Sequence, residues 1–244
     1  MKIMSSSRFI LGENVKKLES DIVKYSRVKH RIGVGNGSDA IHIALQAVGV
    51  GEGDKVITTP FTFFVTAGSI ARTEAKPVFV DIDPVTFNID LSNIEAAITP
   101  RTKAIIPFHS YGQMADMDPI VEIARQYRLA IIEDAAQAIG AKYKGKTVGE
   151  LGTVATYSFF PTKNLGAYGD GGMIVTNDDE VVEKCRVIRV HGNKPKYYHH
   201  VLGYNSRFDE LQAAILKCEV SASKRAETEW IETVERGNRL INPN

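Results

Sequence analysis

Cysteine is scarce in this sequence of 244 residues, which contains only Cys185 and Cys218. Both lie in helix-like stretches, and neither has a second cysteine or a histidine at the short spacing that zinc sites use. This scarcity argues against a disulfide framework, and the spacing predicts no metal centre. Two free thiols are typical of a protein in a reducing compartment, so we expect a cytoplasmic location.

An excess of charge of one sign is also missing, because 30 basic side chains face 29 acidic ones and the net charge is +1. Such a balance, without long basic runs, gives no electrostatic attraction to nucleic acid or to an anionic membrane. No apolar run is long enough to span a bilayer, and residues 1–12 lack the apolar centre of a signal sequence. We therefore expect a protein that binds neither nucleic acid nor a membrane.

Short β-branched runs alternate with helical patterns along most of the chain. Six runs predict strands buried on both faces: residues 55–59, 77–83, 103–108, 129–134, 154–160 and 172–176. Residues 38–50 and 118–127 carry apolar side chains at helical spacing, with Asp118 as the expected cap of the second helix. The alternation predicts an α/β fold with a mostly parallel central sheet and helices on both faces. Ligands of such sheets gather beyond the carboxyl ends of the strands.

A glycine-rich segment, residues 33–38 with the sequence GVGNGS, precedes the first helical pattern. It lacks the last glycine of the dinucleotide-binding fingerprint, and the basic residues 28–32 before it make a poor buried strand, so we predict no nicotinamide site. Gly37 and Ser38 instead open a helix, where exposed backbone N–H groups favour an anion such as a phosphate. Ser158 could add a hydroxyl to that site.

Two charged side chains follow neighbouring predicted strands. Asp134 closes the strand at 129–134, and Lys163 comes after the next one, in a loop rich in glycine. Both should project at the same edge of the sheet, where a lysine can attach a carbonyl cofactor and a carboxylate can keep a pyridinium nitrogen charged. Plainer interpretations compete with this one. Lys163 could be a solvated lysine, and Asp134 a helix cap whose signal the adjacent Glu133 dilutes.

Five separated motifs occur in a fixed order along the chain: NGSDA at 36–40, EDAAQ at 133–137, SFFPTKNLG at 158–166, GDGG at 169–172 and GYNSR at 203–207. Together they resemble the DegT/DnrJ/EryC1/StrS aminotransferases, and the similarity runs from about residue 8 to residue 216. The resemblance implies a fold type I enzyme that binds pyridoxal 5′-phosphate. It also implies transfer of an amino group, with glutamate as the expected donor, to a keto-sugar nucleotide.

The resemblance further implies roles for four residues around the cofactor ring. Lys163 would hold the cofactor as an imine, and Asp134 would bind the pyridine nitrogen. Gln137 would lie near the phenolic oxygen, and Phe63 would stack on the ring. For the last two, plain alternatives remain open, since Phe63 could be a core aromatic and Gln137 could only bridge backbone groups.

Four more residues are implied at the phosphate. Gly37, Ser38 and Ser158 would hold it within one chain, and Asn205 would reach the phosphate of a second copy, so we expect a homodimer with a shared active site. The alternative for Asn205 is a simple turn residue.

Residue type at position 163 separates two reactions in similar proteins. Those that remove a hydroxyl group carry histidine where this chain has Lys163, so the lysine favours transamination.

The length of the chain bears on its domains. We expect residues 1–216 to form the cofactor-binding domain, with residues 1–32 packing on it, and residues 217–244 to be the truncated start of a small C-terminal domain that is largely absent. A missing closing domain would leave the site open to water. A non-catalytic regulatory or sensor protein of the same fold is therefore the alternative interpretation.

Overall fold

The computed structural model describes residues 2–220 of the chain. Its strands are β1 His30–Val34, β2 Lys55–Thr58, β3 Lys76–Phe79, β4 Thr102–Ile105, β5 Ala130–Asp134, β6 Lys142–Tyr143, β7 Lys146–Thr147, β8 Val154–Ser158 and β9 Gly172–Thr176. Its helices are α1 Lys2–Ser6, α2 Glu13–Asp21, α3 Gly37–Ala47, α4 Phe64–Arg72, α5 Ile94–Ala97, α6 Met117–Tyr127 and α7 Asp179–Ile188, and residues 210–220 are also helical. Most of the segment predicted to begin a C-terminal domain, from residue 221 onward, lies outside the described residues.

Seven strands form one sheet in the order β1-β9-β8-β5-β4-β2-β3, and β6 and β7 form a separate hairpin. The strands from β8 to β3 pair in parallel, whereas β9 and β1 join one edge antiparallel. This confirms the predicted mostly parallel α/β sheet.

Apolar side chains cover both faces of this sheet. On one face α3, α4 and α7 bury residues such as Leu45, Ile70 and Val182, and on the other α2 and α6 bury Leu18 and Ile120. Successive strand residues point to opposite faces, and the two core clusters divide the strands accordingly. None of the helices within residues 2–220 is long and apolar enough to cross a membrane.

Residues 30–34 form a strand that was not predicted from the sequence. We expected residues 28–32 to make a poor buried strand, but β1 runs along the sheet edge with Ile32 and Val34 buried. Gly33 N–H donates to Glu19 Oε1 at 2.8 Å, and Arg189 donates to Gly33 O at 2.6 Å. These two distant side chains satisfy the peptide group that an edge strand leaves unpaired.

Two smaller expectations were also wrong. The run at 77–83 was predicted to be buried on both faces, yet β3 lies at the opposite sheet edge, covers residues 76–79, and leaves Phe79 exposed. Helix α6 begins after Asp116 rather than after Asp118, and the Asp118 carboxylate instead pairs with the Lys144 amine at 2.5 Å.

The N-terminus of α2 is held by a carboxylate from the other end of the described chain. Glu210 is buried and accepts hydrogen bonds from Asn14 N–H at 3.0 Å, from the Asn14 side-chain amide at 2.8 Å and from Val15 N–H at 2.9 Å. Burial alone would raise the pKa of Glu210, but the hydrogen bonds from Val15 and Asn14 outweigh it and lower that pKa. The anionic form therefore stabilises the fold.

Glu210→Gln should lower the free energy of unfolding at pH 7 by about 1–3 kcal/mol, because the amide accepts these bonds less strongly than a carboxylate. A lowered folded-state pKa means that this stability is present above the unfolded pKa and is lost as the pH falls through the folded value. Urea unfolding at pH 7 and in acid should show the difference from wild type shrinking in acid. Glu122→Gln, at an exposed pair on α6, is the matched control and should change little. If the difference in the free energy of unfolding between Glu210→Gln and wild type stays the same in acid, the anionic form of Glu210 does not stabilise the fold.

Candidate active site

A cavity of about 500 Å³ lies beyond the carboxyl ends of β5 and β8, where α3 and α4 begin. Seven of the eight predicted site residues line it: Gly37, Ser38, Phe63, Asp134, Gln137, Ser158 and Lys163. Asn205 is the one that does not. Residues from four separate segments of the chain thus meet at the sheet edge where the fold places ligands.

Asp134 ends β5 with only 3 % of its surface exposed. Its Oδ2 accepts a hydrogen bond from the Thr66 hydroxyl at 2.8 Å, and its Oδ1 accepts one from Ala136 N–H at 3.2 Å. Burial raises the pKa of Asp134, while these two bonds and the nearby Lys163 amine act in the opposite direction. Each oxygen keeps acceptor capacity beyond its one bond, so the carboxylate can accept from a donor in the cavity.

Glu133 points to the opposite face of the sheet, which separates its role from that of its neighbour. Its Oε2 lies 3.0 Å from His109 Nε2, and its Oε1 accepts from the backbone N–H groups of Gly149 and Gly152 at 3.0 and 2.8 Å. His109 Nδ1 accepts from Ala115 N–H, so its proton sits on Nε2 and the ring is neutral. Glu133 therefore ties loops to the sheet away from the cavity.

Lys163 lies in the loop after β8, half-buried, with its backbone N–H donating to Phe160 O at 2.9 Å. This turn aligns the lysine with the cavity that Asp134 also lines. Within residues 2–220 its amine has no salt-bridge partner within 4 Å, in contrast to the surface Lys29, which pairs with Asp179. An unpaired amine in a cavity is available to react with a carbonyl group.

Helix α3 opens into the cavity at Gly37, after Asn36 caps it by accepting from Asp39 N–H at 2.8 Å. Glycine is required here by close packing, since a Cβ at Gly37 would lie 2.6 Å from the Ser158 Cβ. A Cβ at Gly172 would lie 2.4 Å from the Asn36 carbonyl oxygen. The free N–H groups of the first turn and the nearby serine form a site suited to an anion.

Of the remaining predicted residues, Gln137 and Phe63 line the cavity and Asn205 does not. Gln137 Oε1 accepts from Tyr111 N–H at 3.1 Å, which leaves its amide Nε2 as the donor for the cavity. Phe63 precedes α4 and is 70 % exposed, so it is not a core aromatic. Asn205 is exposed, forms an isolated antiparallel bridge with Val190, and does not line the cavity.

Sequence reasoning missed the threonines that surround Asp134. Thr66 lies in α4 and is buried, and its hydroxyl lies 2.8 Å from that of Thr62 as well as 2.8 Å from the carboxylate. Thr62 lies before α4 begins at Phe64, so helical spacing gave no signal for this pair. Nothing in the local sequence indicates a partner of Thr66 that lies 68 residues away.

A larger cleft of about 800 Å³ lies at residues 83–92, 112–116 and 142–144. Its charged and polar groups are already engaged with one another: Asp90 accepts from the Ser92 hydroxyl at 2.7 Å, and the Tyr143 hydroxyl donates to Asp116. The smaller cavity, with its unpaired lysine and buried carboxylate, is therefore the candidate active site.

Comparison with known proteins identifies one family. A sequence profile of the DegT/DnrJ/EryC1/StrS aminotransferase family matches residues 1–236. A Geobacillus stearothermophilus protein named pleiotropic regulatory protein is 79 % identical over 215 residues, which are 88 % of this chain and 58 % of that protein. The UDP-2-acetamido-2-deoxy-3-oxo-D-glucuronate aminotransferase of Pseudomonas aeruginosa is 53 % identical over 88 % of this chain and 60 % of its own length. This chain thus spans about three fifths of the length of these relatives.

Solved structures give the same picture of the fold. S. venezuelae DesV in complex with a ketimine intermediate superposes with a TM-score of 0.87 at 42 % identity, over 91 % of this chain and 60 % of that one. NtdA from Bacillus subtilis, with the bound cofactor PMP, superposes with a TM-score of 0.84 at 38 % identity, over 88 % of this chain and 49 % of that one.

Proposed function

This chain belongs to the DegT/DnrJ/EryC1/StrS aminotransferase family, and from that premise we propose that it is a pyridoxal 5′-phosphate-dependent aminotransferase that delivers an amino group to a keto-sugar nucleotide. One observation carries the proposal: the Lys163 amine, which has no salt-bridge partner among residues 2–220, shares a cavity with the buried carboxylate of Asp134 and with the anion site at the start of α3. We further propose that residues 1–216 make up the cofactor-binding domain.

The residues of the cavity fit this cofactor. Asp134 has acceptor capacity left for a protonated ring nitrogen, and its burial calls for a positive partner. The first turn of α3 with Ser158 would hold the phosphate, and Lys163 would attach the aldehyde carbon. Phe63 would cover one face of the ring, and Gln137 Nε2 would donate to the phenolic oxygen.

When bound, pyridoxal 5′-phosphate supplies an electron-accepting ring that stabilises negative charge on the carbon next to an amino group. The protein's own residues do the rest. Asp134, kept anionic, would hold a proton on the ring nitrogen and so keep the ring positive. Lys163 Nζ would move a proton from the donor's α-carbon to the cofactor in the first half-reaction, and from the cofactor to the acceptor carbon that receives the amino group in the second. Two half-reactions at one site predict ping-pong kinetics.

The names of the relatives support a class of substrate without choosing one. They include aminotransferases or synthases acting on UDP-, GDP- and dTDP-linked sugars. We propose glutamate as the amino donor and a keto-sugar nucleotide as the acceptor. We also propose a homodimer in which Asn205, exposed and outside its own chain's cavity, reaches the phosphate site of the partner subunit.

A regulatory role is the second candidate, favoured by the name of the 79 % identical relative. Retention of both Lys163 and Asp134 in a formed cavity supports catalysis instead, since a sensor has no need of a proton-transfer amine.

A single assay separates the two candidates. The purified full chain, loaded with pyridoxal 5′-phosphate, is mixed with glutamate and a panel of UDP-, GDP- and dTDP-linked keto sugars. We expect 2-oxoglutarate and one amino sugar to form in equal amounts, detected by mass spectrometry. A cofactor band that glutamate leaves unchanged, with no amino sugar formed, would contradict the aminotransferase and favour the regulatory protein.

A further inference from the structure

We propose that Thr66, supported by Thr62, is a positioning residue that keeps the Asp134 carboxylate anionic and oriented toward the cofactor ring. The inference rests on the proposed function and deepens it. Thr66 also lines the cavity, and we propose that it acts on the reaction through Asp134.

The geometry joins two elements that are far apart in the chain. Thr66 lies in the first turn of α4, 1 % exposed, and its hydroxyl lies 2.8 Å from Asp134 Oδ2 at the end of β5. An ionised carboxylate can only accept hydrogen bonds, so the hydroxyl of Thr66 must donate. The bond therefore fixes the orientation of the Asp134 carboxylate at the edge of the cavity.

The second threonine sets the direction of the chain of hydrogen bonds. A hydroxyl has one proton to donate, and Thr66 donates it to Asp134. In the 2.8 Å contact between the two hydroxyls, the half-buried Thr62 must then be the donor. Both protons point toward the carboxylate, and each bond polarises the next. This arrangement favours the anion over the protonated acid.

Asp134 needs this support because it is buried and shielded from solvent. Burial raises its pKa, and the Thr66 bond is the first of the contacts that lower it again. The others are Ala136 N–H, at the longer distance of 3.2 Å, and the positive charge of Lys163; the second titratable group that faces Asp134 is His109. Without Thr66 the carboxylate would take up a proton more easily, and the ring nitrogen would lose its charged partner.

The test uses three variants of the full chain. Thr66→Val keeps the shape and removes the hydroxyl, and Thr66→Ser keeps the hydroxyl. Thr73→Val is the matched control, because Thr73 ends the same helix and its buried hydroxyl donates to Ile70 O at 2.7 Å. For each variant, two quantities are measured: the dissociation constant for pyridoxal 5′-phosphate and the pH midpoint of the visible absorbance change of the bound cofactor.

We expect Thr66→Val to bind the cofactor about tenfold or more weakly, as loss of a hydrogen bond to a charged group implies. Its pH midpoint should rise. A positive ring nitrogen withdraws electrons from the imine that joins the cofactor to Lys163 and lowers the pKa of that imine, and this effect weakens when Asp134 holds the ring proton less well. Thr66→Ser should restore both values, and Thr73→Val should leave both at the wild-type level.

Several results would overturn the inference. The inference fails if Thr66→Val binds pyridoxal 5′-phosphate with wild-type affinity and shows the wild-type pH midpoint. It also fails if that variant loses thermal stability while its pH midpoint stays unchanged. If Thr66→Val does not fold, Thr62→Val provides the same measurement. We expect a smaller rise of its pH midpoint, and an unchanged midpoint would contradict the inference. A wild-type protein without any cofactor band contradicts the proposed function itself, whereas a normal wild-type band with an unmoved variant contradicts only the role of Thr66.

Discussion

Lys163→Ala is expected to abolish the visible band of the covalently held cofactor and to lower the transamination rate by more than about 1,000-fold. Two functions are lost together, because the same Nζ atom attaches the cofactor and moves the proton. The cavity itself should survive, since the Lys163 backbone turn depends on its N–H and the Phe160 carbonyl rather than on the amine. Absorbance spectra and single-turnover kinetics with glutamate measure the two losses.

Lys184→Ala is the matched control for this change, because Lys184 is an exposed lysine on α7. It should retain both the band and the rate. A Lys163→Ala protein that kept a wild-type band and turned over glutamate at the wild-type rate would rule out the proposed role of this amine.

Asp134→Asn should have two effects of opposite sign. Turnover should fall by about 100-fold to 1,000-fold, because a neutral amide cannot hold the ring nitrogen charged. The cofactor-free protein should become more stable at pH 8, because the variant has no carboxylate that must ionise where burial raises its pKa. The variant keeps the shape of the side chain, and Thr62 and Thr66 can reverse their hydroxyls to suit the amide.

The stability effect has a definite pH dependence. Burial raises the folded-state pKa of Asp134 above its unfolded value, so wild-type protein gains stability as the pH falls through the folded pKa. The advantage of Asp134→Asn should therefore shrink on acidification. Urea unfolding of the cofactor-free proteins between pH 8 and pH 5 measures it, with Asp81→Asn at an exposed position as control. A variant that is less stable than wild type at pH 8 would contradict the assignment of Asp134 as a strained, functional carboxylate.

Local patterns were enough to place Asp134 and Lys163 together. Each follows a β-branched run, the two runs form β5 and β8, and these strands are parallel neighbours, so their carboxyl ends meet. The helix opening at Gly37 was equally visible, because the glycine and the polar cap Asn36 stand directly before an apolar helical pattern. Such features depend on short stretches of chain.

Contacts between distant segments were not visible in the same way. The bond from Thr66 to Asp134 joins residues in α4 and β5, and no helix was predicted from the sequence at residues 64–72. Strand β1 was misjudged because its basic start suggested solvent, whereas Glu19 and Arg189 supply the hydrogen bonds that its edge needs. A pattern records which face a residue prefers, but it does not record which remote side chain will satisfy it.

Reduction of the cofactor-loaded protein with sodium borohydride, followed by peptide mass mapping, decides whether Lys163 carries the cofactor. We predict a single phosphopyridoxyl mass increment, on the peptide that contains Lys163, and its absence from Lys163→Ala. An increment on a different lysine, or none at all after reduction of a protein that shows the cofactor band, would contradict the assignment.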